Sequence, residues 1–272
     1  MFSMQRQTPA DWTPERVKRL WTYWNTKPHL ISENFAFQVG TGLVNFLAAT
    51  GRLQGEVLDY GCGLGYLLEQ LLGRGLNCSA VEFSPESIAL VNEKFRNYHN
   101  WRGAQLVDSL PTAFAPASFD VITCTETLEH VPDELLPAIV DETYRLLKPG
   151  GIVFFTTPNE ENLEHAMTYC PFCDVEFHKV QHLRSFSPGS LRELLVDRGF
   201  EVLFCQGIDL TEFQKGCTLR EISKVNVELL TRWIGHRKDR YLDKFFPRSF
   251  PQGRGFRRRA ISGPHLCAIA TR

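Results

Sequence analysis

The chain has 272 residues, of which 43% are hydrophobic and 22% charged, with a formal net charge of -1. Those proportions are ordinary for a globular protein and exclude a disordered or collagen-like chain. Mean hydropathy is -0.20, and no apolar run approaches the roughly 20 residues that a membrane span requires. The length suffices to bury more than half of the unfolded surface without covalent staples. Cysteines at 62, 78, 124, 170, 173, 205, 217 and 267 lie mostly in apolar segments, as reduced cytosolic thiols do. The polar residues 1–11 lack the apolar core of a signal peptide, so a cytoplasmic location is expected.

Two amphipathic helices rich in Trp, Tyr and Phe are predicted first, over residues 14–25 and 34–50, as a helical cap spanning residues 1–50. A strand at 56–59 then meets a glycine cluster, followed by a helix at 64–72 that carries Leu64, Leu67, Leu68, Leu71 and Leu72 on one face. Gly73 or Gly75 supplies its left-handed stop. The next strand is 77–82, and Ser84-Pro85 reads as an N-cap with proline at the first helical position. Strands at 119–124 and 151–157 flank a helix that Asp133 is expected to cap, with Pro137 tolerated in its first turn. Ser187-Pro188 opens a further helix closed by Gly199. Strands 200–206 and 265–271 are separated by a basic insertion at about 208–262. Short apolar strands alternating with helices argue for βαβ units and a mostly parallel sheet.

Charge is unevenly spread. Between Gln214 and Arg259 there are 13 Lys or Arg against 4 Asp or Glu. Such a segment is a solvated basic face, or a positive rim that would steer an anionic acceptor or a nucleic acid.

The strongest local signal is Val57-Leu58-Asp59-Tyr60-Gly61-Cys62-Gly63-Leu64-Gly65, a strand, a glycine turn and a helix start. Glycines let a ligand approach the backbone closely, and the helix-start amides face it. Glu82 stands 21 residues after Gly61 at the end of the second strand, where a carboxylate can accept both ribose hydroxyls. A nicotinamide-binding fold also places an acid there. Asp59 separates the two readings, because a carboxylate repels a pyrophosphate but attracts an ammonium or a sulfonium. The turn is moreover Gly-x-Gly-x-Gly, not the dinucleotide Gly-x-Gly-x-x-Gly.

On these residues the chain resembles the class I S-adenosylmethionine-dependent methyltransferases over about residues 55–207. Residues 58–65 look like the first motif and Glu82 like the ribose acid. Asp108-Ser109-Leu110, read as the end of a third strand, looks like the adenine-edge position. Cys124-Thr125-Glu126 ends the fourth strand, and Leu147-Lys148-Pro149-Gly150-Gly151 is similar to the turn before the fifth. The resemblance implies a Rossmann-like α/β fold over residues 51–272, with a seven-stranded sheet whose last strand is antiparallel. It implies S-adenosylmethionine as cofactor, held by Asp59, Tyr60, Gly61, Cys62, Gly63, Glu82, Phe83, Asp108, Ser109, Cys124 and Thr125.

The residues after the fourth strand bear on the acceptor. Cys124-Thr125-Glu126-Thr127 is not the Asp/Asn-Pro-Pro-Tyr of many adenine and amide N-methyltransferases, and a buried strand cysteine is the simpler reading of Cys124 than a nucleophile of the cytosine-C5 type. Glu126-Thr127-Leu128-Glu129-His130-Val131 is similar to the Glu-x-x-Glu-His-Val segment of ubiquinone-type O-methyltransferases. This implies O-methylation of a small or lipid-like hydroxyl, with Glu129 and His130 as catalytic residues, His130 either accepting a hydroxyl proton or simply hydrogen-bonding a loop carbonyl. His182-Leu183-Arg184-Ser185-Phe186 is similar to the His-x-Arg-x-Phe of many small-molecule members, which implies a catalytic His182 as a base or a metal partner of Glu129 and His130. The same segment also resembles the metal motif of small-RNA 2′-O-methyltransferases, which would join Glu126, Glu129, His130 and His182 around a divalent ion. A silent S-adenosylmethionine-binding protein is the remaining alternative. Aromatic residues at 12, 21, 23, 24, 35 and 37 are expected either to close an apolar pocket over the donor or to pack the cap on the core.

Between the fifth strand and the Ser187 helix lies an insertion, about residues 160–186, in which Cys170, Cys173, His178 and His182 fall within thirteen residues. Cys-x2-Cys followed by His-x3-His suits tetrahedral zinc, with the two histidines on one face of a helical turn. A structural zinc on these four residues is therefore expected. The alternatives are that His182 serves the active site instead, or that the cluster merely packs.

Overall fold

The computed structural model describes residues 12–216 and 263–272. The basic stretch 217–262, including Cys217, lies outside the described residues, as do residues 1–11.

Five parallel strands form the body of the sheet: β1 (Glu56–Tyr60), β2 (Asn77–Glu82), β3 (Trp101–Leu106), β4 (Phe119–Thr125) and β5 (Leu147–Pro158). With β8 (Glu201–Ile208) and β9 (His265–Thr271) they give a seven-stranded sheet of order β3-β2-β1-β4-β5-β9-β8. As expected, β9 runs antiparallel, pairing Ile152 with Thr271 and Pro158 with His265 on one side and β8 on the other. A two-stranded hairpin, β6 (Met167–Cys170) and β7 (Val175–His178), stands apart from it.

The crossover helices α4 (Tyr66–Gly73), α5 (Pro85–Phe95) and α6 (Leu136–Leu146), with α3 (Phe35–Ala49) and α7 (Pro188–Asp197), cover both faces of the sheet. Consecutive strand residues therefore serve opposite cores. Phe154 packs with Phe46, Leu67, Leu71 and Phe204, whereas Phe155 packs with Leu58, Ile122, Leu191 and Leu195. Both faces being covered is why the central strands read as continuous apolar runs. The chain order 3-2-1-4-5 reverses between β1 and β4, so the crevice at which such sheets bind ligands lies at the carboxyl ends of β1, β2 and β4.

The Ser84 and Ser187 caps form as expected, each hydroxyl accepting the amide three residues on at 3.2 Å. Gly75, at φ +79, ends α4. Three expectations are corrected. Helix α6 begins at Leu136, because Pro132 O already receives the amides of Leu135 and Leu136. Asp133 instead meets Arg184 at 2.6 Å. Strand β3 ends at Leu106, so Asp108 and Ser109 sit in an exposed turn beyond it. His178 closes a strand, not a helical turn, because residues 167–178 pair as a hairpin.

The first helix, α1 (Pro14–Thr26), crosses the carboxyl edge, with Asn25 bonded to Ser87 and Trp21 to Gln181. Helix α3 is different in kind: Leu43, Val44, Phe46 and Leu47 are fully buried in the main core. A short α2 (Pro28–Ile31) links the two.

Candidate active site

The glycine turn connects β1 to α4 at the crevice. Gly61 has φ +80, and a Cβ there would lie 2.7 Å from Thr127 Oγ1, so the turn packs directly against the segment leading to His130. Gly63 has φ +51 with nothing within 4 Å of a Cβ, leaving an open cradle above the backbone. The amide of Gly63 donates to Glu82 Oε2 at 2.8 Å, and those of Phe83 and Ser84 to Oε1 at 2.8 and 3.2 Å. Glu82 is thereby aimed at the cradle with lone pairs to spare for vicinal hydroxyls. Burial raises its pKa despite those three amides.

Asp59 is buried at the end of β1 and accepts from Thr123 Oγ1 at 2.8 Å. Burial raises its pKa from 3.8 to about 7, with Glu82 adding to the rise and Thr123 opposing it. A carboxylate kept at such cost beside an open cradle suits a ligand that brings positive charge. Phe83 is 44% exposed beside Glu82, a flat apolar face at the rim. Tyr60, Cys62 and Cys124 are buried, and burial pushes the Cys124 thiol up. Cys124 is thus strand core and not a nucleophile. Thr125 is half-buried at the end of β4.

Across from the turn, a short 3₁₀ helix, Leu128–His130, gathers the acceptor-side groups. Glu129 is fully buried, with the Thr157 hydroxyl and the Glu126 carboxyl beside it, and no well-aligned hydrogen bond reaches its carboxyl oxygens. His130 Nε2 lies 3.8 Å from Glu129 Oε1, and its Nδ1 lies 3.3 Å from the carbonyl of Gln181. His182 stands beside it, ring centroids 4.8 Å apart. Glu129, His130 and His182 each place one ligand-type atom within 4.8 Å of the others. Burial raises Glu126 to about 7, with Glu161 contributing, and burial with Glu126 alongside raises Glu129 well above its ordinary value. Burial, then His182, lowers His130 to about 3, so its imidazole is neutral at physiological pH.

Three further residues complete this group. Gln181, fully buried, donates to His130 O at 2.8 Å and accepts from Trp21 Nε1 at 2.9 Å. Arg184 donates to Leu128 O at 2.6 Å, pinning the 3₁₀ turn. Glu161 accepts from His182 Nδ1 at 2.5 Å and lies 3.6 Å from His178 Nε2. The sequence does hold one signal for Glu161: it follows β5 at the carboxyl edge, where ligand-contacting residues of such sheets collect. Of the aromatic residues expected over the pocket, Trp21 stacks edge-on to His130 at 4.9 Å, whereas Tyr23 and Phe37 are more than half exposed.

The four residues expected to share zinc are not brought together. Cys170 pairs with Val175 near the hairpin tip and His178 with Met167 at its base. Three residues of strand separate the two ends, about 10 Å at the usual rise. Cys170 is half-buried and Cys173 exposed. Their thiols hydrogen-bond one another, and this contact with the amides of Cys173 and Phe172 lowers Cys170. His178 and His182 stack on each other and turn to Glu161.

The order of the strands, the antiparallel β9 and the glycine turn facing Glu82 define a class I methyltransferase fold. The chain belongs to the Methyltransf_23 family, a methyltransferase domain, whose model matches residues 33–203. It is an S-adenosylmethionine-dependent methyltransferase. It is 30% identical over 189 residues to a ubiquinone biosynthesis O-methyltransferase of Thiobacillus denitrificans, covering 65% of this chain and 78% of that protein. A protein of the same description from Idiomarina loihiensis is 33% identical over 181 residues, 61% of this chain and 69% of the relative. Among solved structures, a putative methyltransferase in complex with the Haloferax volcanii Trm112 activator shares the fold with TM-score 0.59 at 17% identity, over 92% of this chain and 96% of that one. A DhpI–SAH complex does so with TM-score 0.54 at 17% identity, over 93% and 95%. No helix among the described residues is long and apolar enough to cross a membrane.

Proposed function

We propose that the enzyme methylates a hydroxyl of a small or lipid-like molecule. The observation that carries this is the placement of a buried carboxylate–imidazole group next to the donor cradle. Thr127, which touches the back of Gly61, is the residue immediately before the turn bearing Glu129 and His130. The similarity to ubiquinone biosynthesis O-methyltransferases supports an oxygen acceptor.

Asp59 pairs with the donor's ammonium and Glu82 with its ribose, while Phe83 and the Asp108–Ser109 turn flank the adenine. The acceptor oxygen attacks the methyl carbon in line, forming C–O as C–S breaks, and S-adenosylhomocysteine leaves. Alignment supplies most of the rate. The hydroxyl proton passes to the Glu126–Glu129–His130 group, where burial holds a carboxyl near neutrality, the range that suits a general base. The ligand atoms of Glu129, His130 and His182, within 4.8 Å of one another and next to Glu126, also fit a divalent ion. Such an ion would polarise the acceptor hydroxyl.

Supplying a trideuteromethyl donor to small-molecule and lipid extracts tests this by mass spectrometry. A labelled methyl ether in the product supports the reading, and label confined to nitrogen or to nucleic acid overturns it.

A further inference from the structure

The hydrogen-bond partners of the three clustered histidines fix which ring nitrogen of each carries the proton. A neutral imidazole has one donor and one acceptor nitrogen. Nδ1 of His130 faces only an acceptor, the Gln181 carbonyl at 3.3 Å, so it carries the hydrogen and Nε2 keeps the lone pair. Nδ1 of His182 faces the Glu161 carboxylate at 2.5 Å, so its Nε2 likewise keeps the lone pair. His178 is the opposite. Its Nδ1 accepts the amide hydrogen of His182 at 3.1 Å, which places its own hydrogen on Nε2. That nitrogen is buried without a hydrogen-bond partner, 3.6 Å from the other oxygen of Glu161.

Glu161, His178 and His182 approach within ligand distance of one another, yet His178 in this tautomer has no lone pair to offer an ion. The lone pairs of His130 and His182 belong instead to the group with Glu129, whose two buried oxygens receive no well-aligned hydrogen bond. A carboxyl buried in this way stays neutral unless a cation meets it, so an ion would take the place of its proton. A carboxylate that accepts Nδ1–H from an imidazole and thereby presents Nε2 is the usual outer support of a metal-binding histidine.

We propose that Glu161, backed by His178, is the positioning carboxylate of a divalent-metal site whose inner ligands include Glu129, His130 and His182. Two imidazoles with carboxylate suit a transition ion such as zinc or cobalt better than magnesium. Zinc thus moves from the Cys170/Cys173 set to the carboxyl edge of the sheet. Glu161 also draws His178 inward, which explains why the histidines turn from the cysteines. This inference rests on the metal-assisted form of the proposed O-methylation and not on the identity of the acceptor.

The test is made on the full chain by two readouts that need no turnover. Nitrogen-15 NMR of the metal-free protein reports tautomers: Nδ1–H is expected for His130 and His182, and Nε2–H for His178. Cobalt and zinc affinity is then measured by competition with a chelator. Glu161→Ala is expected to weaken binding by about 10–100-fold while leaving the visible cobalt spectrum at saturation unchanged in shape. Glu161→Gln, which keeps the size and one acceptor, should fall between, and Cys173→Ser should bind as the wild type does. The proposal is overturned by Nε2–H on His182, by absent zinc and cobalt binding, or by equal affinity in Glu161→Ala. It is equally overturned by a changed cobalt spectrum in that variant, which would make Glu161 itself a ligand, or by weaker binding in Cys173→Ser. Failure of any of these leaves O-methylation standing, and a failed acceptor search leaves the metal site standing.

Discussion

Asp59→Asn removes one buried charge while preserving shape and the contact from Thr123 Oγ1 at 2.8 Å. In the donor-free protein burial raises Asp59 from 3.8 to about 7, which places the cost of its charged form on the order of 4 kcal/mol. A ligand ammonium recovers part of that cost, so the donor selects the ionised form. Between about pH 8 and about pH 6 the ionised share falls from roughly nine-tenths to roughly one-tenth, and apparent affinity should fall about tenfold. In Asp59→Asn this dependence should vanish, with affinity at the higher pH weaker by about 10–100-fold through the lost charge-assisted contact. The stability of the free protein moves the other way. A carboxyl whose folded pKa is raised contributes stability that is complete below 3.8 and lost as pH rises through about 7. The donor-free wild type should therefore lose Tm over that window more than Asp59→Asn does. Calorimetric titration of S-adenosylhomocysteine across the pH series, with parallel melting curves, reads both effects. Equal affinity and equal pH dependence in the two proteins would refute the placement of Asp59 at the donor ammonium.

Glu82→Gln should weaken S-adenosylhomocysteine binding by roughly 1.5–3 kcal/mol, measured in the same calorimeter, with NAD binding neither protein. His130→Ala should lower kcat by about 100-fold or more while the donor Kd stays at the wild-type value, which single-turnover and binding assays separate. Gly61→Ala forces a Cβ to 2.7 Å from Thr127 Oγ1 at φ +80 and should cost about 1–3 kcal/mol of stability, visible as a lower denaturation midpoint.

The donor side of the site is legible in the sequence because its signals are local. Gly61 and Gly63 need positive φ within a few residues of a strand end, and Glu82 follows at the end of the next strand. The Ser84 and Ser187 caps are local in the same sense, each a side chain meeting an amide three residues away. The acceptor side depends on pairing across long stretches of chain. Reading His178 and His182 as partners of Cys170 and Cys173 assumes that nearness in sequence is nearness in space. The hairpin register separates them, and Glu161, 21 residues before His182, takes the histidines instead. Gln181 adopts φ +60, a conformation disfavoured for a residue with a Cβ and set here by its contacts with Trp21 and His130. Asp133 has the composition of an N-cap, but Pro132 starts the turn first and Arg184 claims its carboxylate.

A crystal structure with S-adenosylhomocysteine bears most directly on the placement of donor and acceptor groups. The predicted result has its amino-acid end at Asp59, its ribose hydroxyls on Glu82, and its sulfur facing the Glu129–His130 group across the glycine turn. A nucleoside bound away from Glu82, or a sulfur directed away from His130, would contradict that placement.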